Sequence, residues 1–259
     1  MQVNHTRERL ARGETVFGSS AQCYRSAEVP RTFAAAGFDY VFIDMEHGAF
    51  HLETVQDMIA ASIAAGITPI VRVAELLYSL VARLLDSCAQ GIILPRVEDP
   101  RVLEEALSWV RFPPAGKRGY GVNATMIGYE SRTFTEIMEH QNRNILGVAQ
   151  IETTTAIERA DELLSVKGLD IVMVGPADLS ISLGIPGQME HPLLVSTVER
   201  LVAQCVAHGV VPGIQTRDAR MAKDWAARGM RFVGAGADHA LLLEKARETV
   251  ALLRGAERA

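Results

Sequence analysis

Asp44, Glu46 and His47 stand within four residues, directly past the apolar run Phe38–Ile43. Carboxylates beside an imidazole raise its basicity and fix its tautomer, so His47 reads as a general base. Glu152 closes Gln150-Ile-Glu152-Thr, and Asp178 closes Gly175-Pro-Ala-Asp178. Two such carboxylates at neighbouring strand ends suit an octahedral hard cation such as Mg²⁺ or Mn²⁺, with water and substrate as further ligands. Each acid alone reads equally well as a helix cap; the pair together with His47 and Arg72 points past capping. Arg72, flanked by Val71 and Val73, needs an anion in its apolar setting. A structural carboxylate or a substrate's carboxylate and enolate oxygens would serve, and the residues leave both open. The lysines are Lys117, Lys167, Lys223 and Lys245, none at a strand end, so an imine-forming aldolase is excluded. Carbonyl or enolate chemistry then requires a metal as Lewis acid.

These groups need elements that gather them. Eight apolar, β-branched runs recur: Thr15–Cys23, Phe38–Asp44, Thr68–Val73, Gly91–Pro95, Leu146–Ile151, Asp170–Val174, Val210–Gln215 and Arg231–Ala235. Helical periodicity follows near 27–36, 52–65, 78–88, 100–110, 153–165, 192–208, 217–228 and 239–254. Glycines 37, 66, 209 and 229 close helices just before strands, as left-handed caps do. Strand and helix alternating evenly over residues 1–259 predict one α/β domain, a single (β/α)8 barrel. A doubly wound sheet would carry a G-x-G-x-x-G turn, and none occurs. Barrels place chemistry at the C-terminal strand ends, where Asp44, Glu46, His47, Arg72, Gln150, Glu152 and Asp178 fall. Arg111–Asn144, with its Phe-Pro-Pro-Ala-Gly core, reads as a long βα excursion with a second helical segment near 130–142.

Composition removes other classes. The 259 residues carry 26 Lys+Arg against 31 Asp+Glu, a net charge of -5, so nothing favours nucleic acid as partner. Cys23, Cys88 and Cys205 are widely spaced in apolar surroundings and read as buried free thiols of a reducing, cytoplasmic protein. The polar start, Met1–Arg12, has no apolar core of a signal peptide, and no run is long enough to span a membrane.

Several longer motifs go further: Ala-Gly37-Phe-Asp-Tyr-Val-Phe-Ile-Asp44-Met-Glu46-His47, Val71-Arg72-Val73, Leu85-Asp86 before Gly-Ile-Ile-Leu-Pro95, Phe112-Pro-Pro-Ala-Gly-Lys-Arg-Gly-Tyr-Gly121, Gln150-Ile-Glu152-Thr and Gly175-Pro-Ala-Asp178-Leu-Ser180. With these the chain resembles, over nearly its whole length, the HpcH/HpaI aldolases. These are class II, metal-dependent pyruvate aldolases such as 4-hydroxy-2-oxoheptanedioate and 2-keto-3-deoxy-sugar-acid aldolases. The resemblance implies that Glu152 and Asp178 ligate Mg²⁺, Mn²⁺ or Co²⁺ and that His47 is the base, acting through water. Asp86, with Asp44 in support, would raise the basicity of His47. Arg72 would bind the pyruvyl oxygens, while Gln150 and the Gly175, Pro176, Ala177, Asp178 segment would hold the pyruvate carboxylate at a helix N-terminus. The implied reaction is reversible cleavage of 2-keto-4-hydroxy acids to pyruvate, or a close 2-oxo acid, and an aldehyde through a metal-bound enolate. The implied assembly is a homo-oligomer, a hexamer, whose C-terminal helix, residues 239–254, is exchanged between subunits.

Three departures bear on the aldehyde. Ala74 stands where a proline is common, Asp86-Ser-Cys88-Ala replaces Asp-x-Gly-Ala, and Val122–Glu130 lacks the usual Ser- and Arg-rich segment. Two other functions compete: a related lyase of CoA thioesters, of the citrate-lyase β and malyl-CoA type, and a non-catalytic barrel that binds small acids.

Overall fold

The computed structural model describes residues 1–122 and 124–255. Eight strands pair in parallel, each with the next and the last with the first, into a closed barrel. They are β1 (Val16–Ala21), β2 (Tyr40–Asp44), β3 (Thr68–Arg72), β4 (Gly91–Leu94), β5 (Leu146–Ile151), β6 (Ile171–Val174), β7 (Val211–Thr216) and β8 (Phe232–Ala237). The outer helices are α2 (Glu28–Ala36), α3 (Leu52–Ala65), α4 (Tyr78–Asp86), α5 (Pro100–Ser108), α10 (Pro192–His208), α11 (Ala219–Ala227) and α12 (Asp238–Leu253). Further helices, α1 (His5–Ala11), α6 (Phe134–Asn144), α7 (Thr154–Glu158), α8 (Ala160–Leu164) and α9 (Pro176–Ser182), fill the connections. The helix-ending glycines do what was expected of them, Gly37 with φ 92° and Gly209 with φ 70°.

Strand alternation decides which residues reach the site. Val16, Tyr40, Phe42, Ile70, Ile93, Leu146, Val148, Ile171, Met173 and Phe232 form a core inside the barrel. Their neighbours Val41, Ile43, Val71, Ile92, Ala149 and Val172 belong to the larger core between sheet and helices. With period two, the next inward positions at the C-terminal ends are Asp44, Arg72, Gln150 and Gly175. The core floor therefore ends in a polar layer.

Glycines shape that floor. Tyr40 and Phe232 stack with ring centroids 4.1 Å apart, and a methyl group on Gly18 would lie 2.3 Å from the Tyr40 ring. Gly18→Ala is therefore expected to destabilise the fold by about 1–3 kcal/mol, as overpacking does, read as a lowered midpoint in urea unfolding.

Four expectations are corrected. The segment 111–144 lies between α5 and β5, so it is an αβ connection on the strand-start face and not a βα excursion. There Arg111 meets Asp170 at 2.7 Å, the acid just before β6 that also holds Arg7 at 2.8 Å. The helix expected over 153–165 breaks in two at Arg159, whose φ of -102° is not helical. Cys23 is exposed and Cys88 half-buried; of the three free cysteines only Cys205 is buried, and burial pushes its thiol up to about 12. α1 and α9 were not expected. Asn4 caps α1 and donates to the carbonyls of Gln90 and Asn144, closing the strand-start end. No helix among the described residues is long and apolar enough to cross a membrane.

Candidate active site

Arg72 is 6% exposed and holds the polar layer together. Its Nε and Nη2 donate to the two carboxylate oxygens of Asp44, at 2.9 and 2.6 Å, a fork-to-fork pair. Nη1 donates to Gln150 Oε1 at 3.1 Å and lies 3.0 Å from Glu46 Oε2. The guanidinium also sits 5.1 Å over the Phe42 ring. Gln150 passes the chain on, its Nε2 donating to Glu152 Oε2 at 2.5 Å. Of the two partners the sequence left open for Arg72, the structural carboxylate is in place. Asp44 thus orients Arg72, and its Oδ1 also accepts the amides of Glu46 and His47, at 3.0 and 3.2 Å, folding the turn after β2.

Glu152 is 4% exposed. Burial pushes its carboxyl above the usual carboxylate range, the Gln150 hydrogen bond opposes this, and the negative charges of Asp178 and Glu46 add to it. Asp178 stands exposed in the first turn of α9. Gly175 makes room: a methyl group there would lie 2.6 Å from Glu152 Oε2 and 3.1 Å from Gln150 Nε2. The acids Glu152, Asp178 and Glu46 share one electrostatic neighbourhood, with Arg72 as its cation. An all-oxygen donor set with surplus negative charge fits a hard divalent ion, and Glu152 and Asp178 are the residues that would hold it. From sequence Glu46 was read only as a neighbour of His47, not as part of the acid group around Glu152. Its signal was the inward parity with Asp44, two residues earlier, obscured because the strand ends at Asp44.

His47 is exposed at the rim, and among the described residues its ring makes no hydrogen bond to Asp44, Glu46 or Asp86. Asp86 ends α4, on the side where β4 begins, whereas His47 follows the end of β2 at the opposite face. Asp86 instead accepts from Arg118 Nη2 at 2.9 Å, and Arg118 is buried with its guanidinium 4.5 Å over the Phe112 ring. One chain therefore gathers Asp44, Arg72, Gln150, Gly175, Glu152 and Asp178 and leaves Asp86 apart.

Residues 23–244, a span that holds every one of these groups, match the family model HpcH/HpaI aldolase/citrate lyase. The chain belongs to this family of carbon–carbon lyases. Relatives cover nearly all of the chain. The 2-keto-3-deoxy-L-rhamnonate aldolase of Escherichia coli O17:K52:H18 is 31% identical over 255 residues, 97% of this chain and 94% of its own. The crystal structure of an HpcH/HpaI aldolase from Desulfitobacterium hafniense DCB-2 superposes with a TM-score of 0.91 at 30% identity, covering 96% of each chain. The citrate synthase SbnG superposes at 0.84, also at 30% identity, covering 97% of this chain and 98% of its own. An aldolase and a citrate synthase at equal identity share the barrel but differ in the reaction named for them, so identity at this level leaves the second substrate open.

Proposed function

We propose that this HpcH/HpaI protein is a divalent-metal-dependent aldolase that cleaves 2-keto-4-hydroxy acids to pyruvate, or a close 2-oxo acid, and an aldehyde, and runs the reverse addition. The observation that supports it most is the buried relay Asp44–Arg72–Gln150–Glu152 opening on Asp178. It ends in the carboxylates of Glu152, Asp178 and Glu46, three negative charges around the single cation Arg72, and Asp44 holds that arginine rigid. Glu152 and Asp178 hold the ion, Mg²⁺, Mn²⁺ or Co²⁺, which when bound supplies Lewis acidity toward the keto oxygen of the 2-oxo acid.

The chain's own groups do the rest. Gln150 and the first-turn amides of Ala177 and Asp178 receive the 2-oxo acid's carboxylate, because those amides have no partner inside the helix, whereas Pro176 has no N–H and the Gly175 N–H donates to the Ile151 carbonyl. Arg72 Nη1 faces the charge that develops on the enolate oxygen and needs no reorganisation to meet it, since Asp44 fixes the other two nitrogens. His47, at the open rim, moves the proton between substrate and water. Stripping the protein with EDTA is expected to abolish pyruvate release from a panel of 2-keto-4-hydroxy acids, and Mg²⁺, Mn²⁺ or Co²⁺ to restore it. Turnover that persists without metal refutes the reading.

If Asp86 serves His47, topology demands that it come from a second copy. The molecule has a surface for one: Leu242, Leu252 and Leu253 of α12 are 57%, 80% and 81% exposed, and of this helix only Asp238 is buried. That face suits the exchange of α12 in a homo-oligomer, a hexamer in our reading. Co-expressing His47→Ala with Asp86→Ala chains is expected to recover about a quarter of wild-type activity if subunits mix at random, each variant alone being nearly inactive. No recovery would mean that Asp86 acts within its own chain, where Arg118 is one of its partners. Free thiols, one of them exposed, suit a reducing cytoplasm.

A further inference from the structure

We propose that Cys23, Asp238 and His239 form a second metal site, for a borderline-soft divalent ion such as Zn²⁺, where the ends of β1 and β8 meet. The thiol, one carboxylate oxygen and one ring nitrogen of these residues all lie within 4.8 Å of one another. None of the three takes part in the relay from Asp44 to Glu152. They are brought together because β1 and β8 close the barrel, placing Cys23, two residues past β1, beside the first turn of α12.

The carboxylate is already fixed. Asp238 is buried, and its oxygens accept the amides of Cys23 at 3.0 Å, Tyr24 at 2.8 Å and His239 at 2.8 Å. These bonds fix the backbones of both neighbouring ligands around it and leave their side chains to turn toward an ion. The fit to a tetrahedral ion is metric. Zinc–nitrogen and zinc–oxygen bonds of about 2.0–2.1 Å at the tetrahedral angle put the two ligand atoms about 3.3 Å apart. His239 Nδ1 and Asp238 Oδ1 are 3.3 Å apart, the ring's one hydrogen-bond contact among the described residues and the one an ion would replace. A thiolate at about 2.3 Å from the ion needs about 3.6 Å to each of the other ligands, which a turn of the exposed Cys23 side chain supplies. The exposed thiol and the half-exposed imidazole leave water the fourth position.

Donor type separates this site from the one at Glu152 and Asp178. A sulfur–nitrogen–oxygen set selects Zn²⁺ or Co²⁺ over Mg²⁺, while an all-carboxylate set accepts Mg²⁺ readily. An ion at Cys23 would pin the start of α12 to the end of β1, and so tie the exposed helix to the barrel.

The test uses the full-length protein kept saturated with Mg²⁺ and titrated with Co²⁺. The expected result is a near-ultraviolet thiolate-to-cobalt charge-transfer band that saturates at about one equivalent per chain. Cys23→Ser is expected to lose the band, and His239→Gln to weaken Co²⁺ binding about tenfold or more. One equivalent of Zn²⁺ should raise the melting temperature of the wild type and not of Cys23→Ser, since only the folded chain assembles the site. Absence of the band, its persistence in Cys23→Ser, or an equal thermal shift in both proteins would overturn the proposal.

Discussion

Glu152→Gln is expected to lower kcat by about 10²–10³-fold, the scale on which losing one electrostatic partner of the developing charge is felt. The same variant is expected to raise the melting temperature of the metal-free protein at neutral pH. Both outcomes have one cause. Glu152 is buried beside Glu46 and Asp178, so its charge is held at a cost that the ion would offset. Glutamine keeps the shape and an acceptor for Gln150 and removes the charge. The mouth is open to solvent, so the relief is of order 1 kcal/mol or less, up to about 3 °C in a chain of this size. The sign follows from the direction of the shift. An acid whose folded pKa is raised binds its proton more tightly folded than unfolded. Its relative stabilisation is present below the unfolded value and is lost as pH rises through the folded one. The wild type and Glu152→Gln should therefore converge in acid and separate as pH rises. Added Mn²⁺ should reverse the order by stabilising the wild type alone. Differential scanning calorimetry with and without metal measures this, and a metal-free Glu152→Gln protein less stable than wild type would refute the account of Glu152.

How much of this was legible before the structure depends on the range of the interaction. The barrel was legible because its signals are local: apolar runs, helical periodicity and capping glycines each need only a few neighbouring residues. The gathering of Asp44, Arg72, Gln150 and Glu152 on one face was legible for the same reason, as each closes an apolar run. That Asp44 spends its carboxylate on Arg72 was not. The pair spans 28 residues, and register between β2 and β3, which sets Asp44 against Arg72, is a property of the closed sheet. α1 and α9 escaped because seven residues hold too few turns for a period to show. The misplaced segment 111–144 came from reading α5 and the loop as one connection, which moved Phe112 to Gly121 to the wrong end of the barrel. Asp86 carries the same lesson: it ends α4 near a strand start, away from His47 of its own chain, and no local pattern around it says at which end of the barrel it lies. Cys23 was expected to be buried from its apolar company, yet it lies past the last paired residue of β1, where alternation no longer applies.

Arg72→Ala is expected to be the most damaging single change in the molecule, for reasons of stability before chemistry. It strips the partner from Asp44, which is 1% exposed, and leaves a buried charge uncompensated, a loss of about 3–5 kcal/mol. It also frees Gln150 Oε1 and removes the cation nearest Glu46 and Glu152, whose mutual repulsion then stands unrelieved. A variant that unfolds says nothing about catalysis, so the informative changes are two others. Arg72→Met with Asp44→Asn removes both charges and keeps the volume, and is expected to recover most of the lost stability in urea unfolding. Its activity should stay at the Arg72→Ala level, because no donor faces the enolate oxygen. Arg72→Lys keeps the charge but has a single nitrogen where three are in use. An ammonium that holds Asp44 cannot also reach Gln150 and the substrate, so kcat should fall about 10²-fold with a near-native melting temperature. The loss should appear in kcat more than in KM, since the interaction strengthens as charge moves onto the oxygen. A lysine variant with unchanged kcat would reduce Arg72 to a strut for Asp44.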